Sequence, residues 1–328
     1  MPANDLTART VVFESPGVVS VRSRPVSRTD EQVVVRSRLI GISHGTERLF
    51  YRGPFPSGHL LEERPTVGGS AGYPIEYGYM NVGELDDGSR VFAFEPHRDV
   101  FAADRSSLLP VPGDIGPDDA VLYPSVETAL QIVHDAAPAF GERVLVCGLG
   151  VVGLLVTMLL ARFPVEVVAV EPVASRRRRA ERSGVATVDP TDSSAAASLA
   201  SRTRPDRFDL AINVSSSAQA LQLAIDSLET EGTVVEASWY GEKTAELSLG
   251  AAFHRRRLTI RSSQVSSLNP AMQPRWSRER RTALVWRLVR ELHPGALITH
   301  RFALDDAARA YDLIDEEPDD LMQAVLVP

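Results

Sequence analysis

The chain has 328 residues, 44% of them hydrophobic and 24% charged, with a formal net charge of −8; this is an ordinary soluble composition at a length that suits two domains. Its basic residues are spread along the sequence and outnumbered by acidic ones, so no phosphate-binding face and no nucleic-acid partner are expected. One cysteine, Cys147, excludes intrachain disulfides and cysteine-rich zinc or iron–sulfur lobes, and one lysine, Lys243, with no GxxxxGK, excludes a P-loop.

In chain order, TVVFES, VVSVRSR, EQVVVRSRLIGIS and SRVFAFEP read as short strands separated by turns and by a stretch rich in glycine and proline. The first 124 residues are therefore expected to form a β-rich module. From Gly141 the pattern becomes strand and helix in alternation: RVLVCG, GVVGLLVTMLLARF, VEVVAVE, ASRRRRAERSG, ATVDP, FDLAINVS, LQLAIDSL, GTVVEAS and LTIRSSQV. Alternation of this kind predicts a doubly wound parallel sheet over residues 125–265, an α/β fold. Residues 266–328 hold an amphipathic helix near Arg278–Leu292, the strand LITHRF, the helix LDDAARAYDLI and the strand QAVLV, and are expected to return to the first module. MPANDLTART lacks an apolar signal region and the longest apolar run, Val151–Leu160, is too short for a bilayer; a cytoplasmic protein with no membrane partner is expected.

The segment Gly148-Leu149-Gly150-Val151-Val152-Gly153 lies between a predicted strand and an apolar helix. Gly148 permits a tight turn, Gly150 lets backbone approach a pyrophosphate, and Gly153 lets the helix lie close to the sheet. Glu171 ends the next strand, where a carboxylate accepts hydrogen bonds from both ribose hydroxyls and favours NAD over NADP. The run Arg176–Arg179 is either a solvated helix face or a phosphate clamp that keeps NADP open, with Arg176 near enough to meet the ribose. Ser215 follows the fourth strand, and Ser238, Trp239 and Tyr240 the fifth, at carboxyl ends where cofactors bind.

This layout, with GLGVVG near residue 150, resembles the medium-chain dehydrogenase/reductase superfamily over nearly the whole chain. The resemblance implies a Rossmann domain joined to a GroES-like catalytic domain. GISHGTE at Gly41–Glu47 looks like the GICGTD segment of zinc alcohol dehydrogenases, and EYGYMNVGEL at Glu76–Leu85 looks like their GHE segment. FAFEPHRDVFAADRSSLLPVP, ASWYG and LTIRSSQV further resemble a zinc-poor subgroup that includes bacteriochlorophyllide-type 2-hydroxyethyl dehydrogenases. Where the zinc enzymes place cysteine, histidine and glutamate, this chain has His44, Tyr79 and Met80, and the third ligand position falls near Pro124. A catalytic zinc needs three protein ligands, so a zinc-independent enzyme is expected; a rearranged site from His44, Glu47, Glu76 or His97 stays open.

Without metal, hydrogen-bond donors must polarise the substrate oxygen. By resemblance Thr46 matches the hydroxyl that begins the family's proton relay. Tyr79 stands where a ligand pointed at substrate and is the candidate acid or base, or else packs with Tyr73 and Tyr77. His44 would shuttle a proton or orient substrate. Glu47 and His97 are candidates behind them, unless Glu47 only anchors a loop by pairing with Arg48 or Arg52. Tyr51, Phe55 and His59 either border a small-molecule substrate or cover the core. The resemblance also implies a homodimer through Leu258–Val265. Interconversion of a secondary alcohol and a ketone on a biosynthetic intermediate is the leading expectation. An NADPH-dependent enoyl or quinone reductase and a catalytically inactive nucleotide-binding protein are the alternatives.

Overall fold

The computed structural model describes residues 6–53, 72–201 and 206–328. They form two compact units, one built from the chain up to Pro124 with Val289–Pro328, the other from Ser125–Leu288.

The first unit begins with an antiparallel hairpin of β1 (Thr7–Ser15) and β2 (Val18–Pro25). After it come β3 (Val33–Gly41), helix α1 (His44–Arg52), β4 (Asn81–Glu84), β5 (Arg90–Ala93), β6 (Val100–Ala103), β7 (Leu109–Pro110) and the short α2 (Pro117–Ala120). Helix α3 (Tyr123–Ala136) leads out of this unit. The sequence pattern does not show α1, which follows the strand read as ending at Ser43, because Gly45 and a nine-residue length give it little intrinsic helicity. Burial secures it: Glu47, Phe50 and Tyr51 face inward, and Phe50 stacks on Tyr77 with ring centroids 3.9 Å apart.

The second unit holds β8 (Arg143–Cys147), α4 (Val151–Leu160), β9 (Glu166–Val170), α5 (Ala174–Glu181), β10 (Ala186–Val188), α6 (Ser193–Ala200), β11 (Phe208–Asn213), α7 (Ala218–Ser227), β12 (Leu228–Glu236) and β13 (Thr259–Ser262). Its sheet has the order β10-β9-β8-β11-β12-β13 with every pair parallel. Covered on both faces, such strands read as continuous apolar runs, as in the Val-Leu-Val-Cys of β8. Helix α4 is apolar on nearly all sides and buried to match. The order reverses between β8 and β11, the place where doubly wound sheets bind ligands.

Helix α8 (Arg278–Leu292) carries the chain back, and β14 (Ile298–Ala303), α9 (Ala307–Glu316) and β15 (Gln323–Val327) complete the first unit. Their sheet runs β14-β15-β3-β4-β5-β7, with β6 also paired to β3. The return starts at residue 289 and not at 266, because the intervening segment is anchored to the second unit. Asn269 Nδ2 donates to His134 O at 2.9 Å, and Arg281 meets Gln131, Val265 and Glu127. The fold is thus a Rossmann sheet with a GroES-like β-rich domain. Among the described residues no helix is long and apolar enough to cross a membrane.

Candidate active site

In the second unit, Gly148 leaves β8 with φ +97, a conformation that strains any other residue. A Cβ at Gly153 would stand 2.0 Å from Gly148 O, whereas one at Gly150 would meet nothing within 4 Å. The turn is thus packed tightly from below and open above Gly150, at the N-terminus of α4, where backbone N–H groups and the helix dipole favour an anion. This cradle fits a dinucleotide pyrophosphate.

Glu171 is nearly buried, and its carboxylate does more than wait for a ribose. Oε2 accepts from Leu149 N at 2.7 Å and Oε1 from Val173 N at 3.0 Å, so the acid also fixes the glycine turn. Each oxygen keeps a second lone pair for a hydroxyl donor. Arg176 Nη1 lies 3.9 Å from Glu171 Oε1. Arg177 is committed elsewhere, donating to Glu171 O at 2.7 Å and pairing with Asp189 at 2.9 Å, so it braces the loop. Val151 and Val152 form the first turn of α4, where N–H groups have no acceptor within the helix.

At the carboxyl ends of β11 and β12, Ser215 Oγ donates to Asn213 Oδ1 at 2.7 Å, and Ser238 Oγ accepts from Ser216 N at 3.0 Å. Tyr240 Oη lies 3.2 Å from Asn213 Nδ2 and 3.3 Å from Glu236 Oε2. Burial, and next the charge of Glu236, push its phenol up to about 12. Tyr240 is therefore a brace between strand ends, and Trp239 beside it is half-buried. Sequence reading missed Asn213 and Glu236, although a polar residue closing each of two apolar strands was the available signal. Cys147 is fully buried and its thiol is pushed up to about 12 by desolvation, which makes it inert.

In the first unit, Ser43 and α1 gather the other candidates. Glu47 and His97 are both 0% exposed. Glu47 Oε1 accepts from Ser43 N at 2.8 Å; Oε2 accepts from Tyr311 Oη at 2.5 Å and lies 2.7 Å from His97 Nε2. The expected pairing of Glu47 with Arg48 or Arg52 does not occur: those arginines reach Glu317 and Asp315 on the surface, while Glu47 points into the core. His97 Nδ1 is buried without a hydrogen-bond partner among the described residues, closely covered by Gly78, whose φ is +143 and whose added Cβ would fall 2.4 Å from that nitrogen. Neither Glu47 nor His97 is exposed; they support Ser43 and the start of α1 from within.

Tyr79, His44 and Thr46 are half-buried. Tyr79 Oη donates to Ser43 Oγ at 2.5 Å, and its ring meets Tyr77 edge-on, centroids 6.2 Å apart. His44 Nε2 accepts from Ala324 N at 3.0 Å, which puts its ring proton on Nδ1. Thr46 sits in the first turn of α1. Glu76 is bound by Arg24 and Arg98, and Tyr51 donates to Asp312. Phe55 and His59 lie outside the described residues. Sequence reading also missed Ser43 and Tyr311; Tyr311 arrives from 264 positions away and carried no signal.

Comparison with known proteins agrees with this architecture. Residues 151–280 match the family described as zinc-binding dehydrogenase. A D-guloside 3-dehydrogenase of Escherichia coli K12 is 26% identical over 79% of this chain and 81% of its own. Among solved structures, 2R,3R-butanediol dehydrogenase from Bacillus subtilis has a TM-score of 0.77 at 20% identity, covering 98% of this chain and 99% of its own. A short chain alcohol dehydrogenase of E. coli CFT073, solved with NADH, gives 0.76 at 19% identity with the same coverage. The family match, the sequence relatives and the shared fold together support an oxidoreductase of the medium-chain dehydrogenase/reductase superfamily.

Proposed function

We propose that the protein interconverts a secondary alcohol and a ketone with NAD, without zinc. The observation that carries this reading is the pairing of a pyrophosphate-ready glycine turn with Glu171, bonded to Leu149 N at its base. A 2′-phosphate beside that carboxylate would be repelled, which favours NAD over NADP. The bound cofactor supplies the hydride chemistry; Gly148–Gly153 and Glu171 would hold its phosphates and ribose, with Ser215 and Ser238–Tyr240 at the strand ends.

Zinc does not fit the residues at the corresponding positions. His44 spends its Nε2 lone pair on Ala324 N–H, Tyr79 donates to Ser43, Met80 is a buried thioether, and both oxygens of Glu47 are taken by buried donors. Among the described residues no three His, Cys, Asp or Glu side chains are grouped to hold a metal. Tyr79 and Thr46 are left to orient the substrate oxygen and exchange its proton. Sugar and polyol hydroxyls are the substrate class we favour, because a D-guloside 3-dehydrogenase is among the relatives matched over most of the chain. β13, at the edge of its sheet, is the proposed pairing edge of a homodimer.

Titration of the purified protein with NADH and NADPH by fluorescence, with metal analysis of the same sample, tests the reading. Tighter NADH binding with no stoichiometric zinc is expected; preferred NADPH binding or one zinc per chain overturns it. Thr46→Ala and Tyr79→Phe should lower turnover and leave NAD affinity nearly unchanged.

A further inference from the structure

Ser43 stands at the N-cap of α1, yet its side chain caps nothing. A serine at this position ordinarily accepts from an N–H of the first turn. Here Oγ accepts instead from Tyr79 Oη at 2.5 Å. The main chain of Ser43 is held firmly while the side chain is diverted. Its N–H donates to Glu47 Oε1 at 2.8 Å and its carbonyl accepts from Glu47 N at 2.8 Å. Glu47 is in turn fixed by Tyr311 and His97, both buried. Three buried side chains from separate stretches of sequence thus fix the backbone that carries the half-buried Ser43 hydroxyl to the phenol.

We infer that Ser43 is the positioning partner of Tyr79, holding the phenol while it is protonated and stabilising its oxygen once the proton has left. The inference rests on reading Tyr79 as the proton donor. In the direction of alcohol formation the single Tyr79 hydrogen first swings from Ser43 Oγ to the substrate oxygen, with Ser43 turning to donate to Tyr79 Oη; the Tyr79 O–H bond then breaks, the proton goes to the substrate oxygen, and the electron pair stays on Tyr79 Oη. A serine hydroxyl has one hydrogen and two lone pairs; having turned from accepting to donating, it holds the phenolate until solvent returns a proton. Among the described residues, the titratable groups next to the pair include His44, bonded to Ala324, Glu47, bonded to Ser43 N, and Tyr77, edge-on to Tyr79.

The test places 3,5-difluorotyrosine at position 79 of the full chain and follows its ionisation by fluorine NMR, which reads this phenol apart from the other tyrosines. Ser43→Ala should raise the midpoint by about one pH unit, the loss of one hydrogen bond to a charged oxygen, and Ser43→Thr should restore it. NADH affinity and the melting temperature report that the fold is intact. If Ser43→Ala does not fold, Ser43→Cys, a weak donor of similar size, should shift the midpoint the same way. Equal midpoints in the serine and alanine proteins, or no recovery with threonine, overturn the role of Ser43. Full turnover in Tyr79→Phe would instead overturn the reading of Tyr79, so the two failures are distinguishable.

Discussion

Gly153 and Gly150 should respond in opposite ways to the same added methyl group. At Gly153 an alanine Cβ would stand 2.0 Å from Gly148 O and 2.9 Å from Val214 Cγ2. The first is backbone of the turn itself and cannot rotate away. Alanine gains about 1 kcal/mol of helix propensity over glycine, but overpacking costs about 1–3 kcal/mol, and a backbone obstacle lies at the upper end. A net loss of about 2 kcal/mol is expected, lowering the melting temperature by roughly 4–8 °C for a unit of this size. NADH binding should weaken with it, since the displaced atom belongs to the turn. Gly150→Ala meets nothing within 4 Å, so stability should stay within about 0.5 kcal/mol. Its methyl group occupies the space above the helix N-terminus, and NADH affinity should fall about tenfold or more. Thermal melts and fluorescence titrations of the two proteins decide the matter. Unchanged NADH affinity in Gly150→Ala would refute the location of the pyrophosphate, and an unchanged melt in Gly153→Ala would refute the close packing of α4.

Glu171→Gln keeps the size of the side chain but presents an amide N–H₂ toward Leu149 N–H or Val173 N–H; NADH affinity should drop about tenfold while NADPH affinity changes less, and an unaltered ratio in paired titrations would contradict the NAD preference. Glu95 is pushed up to about 7, chiefly by burial, with Arg98 opposing and Glu76 adding to the rise. A carboxyl raised in the folded state stabilises it below the unfolded value near 4.5 and loses that contribution as pH rises through 7, a span of about 3 kcal/mol at most. Urea midpoints should therefore fall between pH 5 and 8 in the wild type and fall less in Glu95→Gln; parallel midpoints would exclude Glu95 as the source. Arg281→Met leaves Glu127 and Gln131 without the guanidinium that meets each at 3.0 Å, which should cost about 3–5 kcal/mol in chemical denaturation, and a loss under about 1 kcal/mol would argue against this anchor.

The parallel sheet and its cofactor turn were legible from the sequence because they depend on local chemistry. Buried parallel strands need unbroken apolar runs, a turn like that at Gly148 needs glycine, and each signal lies within a few residues of its cause. His44, Tyr79 and Met80, read position by position through the resemblance, are the sequence basis of the proposed zinc-free site. Which of the candidate side chains face outward was not legible. Glu47 and His97 have the residue types of catalysis, but contacts with Tyr311 and Ser43 turn them into a buried support. Helix α1 exists because Phe50 and Tyr51 are covered, not because its own residues favour it. The boundary at residue 289 likewise follows from Arg281 and Asn269 reaching back to α3. Period and residue type fix what an element can be. Long-range hydrogen bonds, such as the one that joins His44 and Ala324 across 280 positions, decide which polar atoms are already spent and which remain for a substrate.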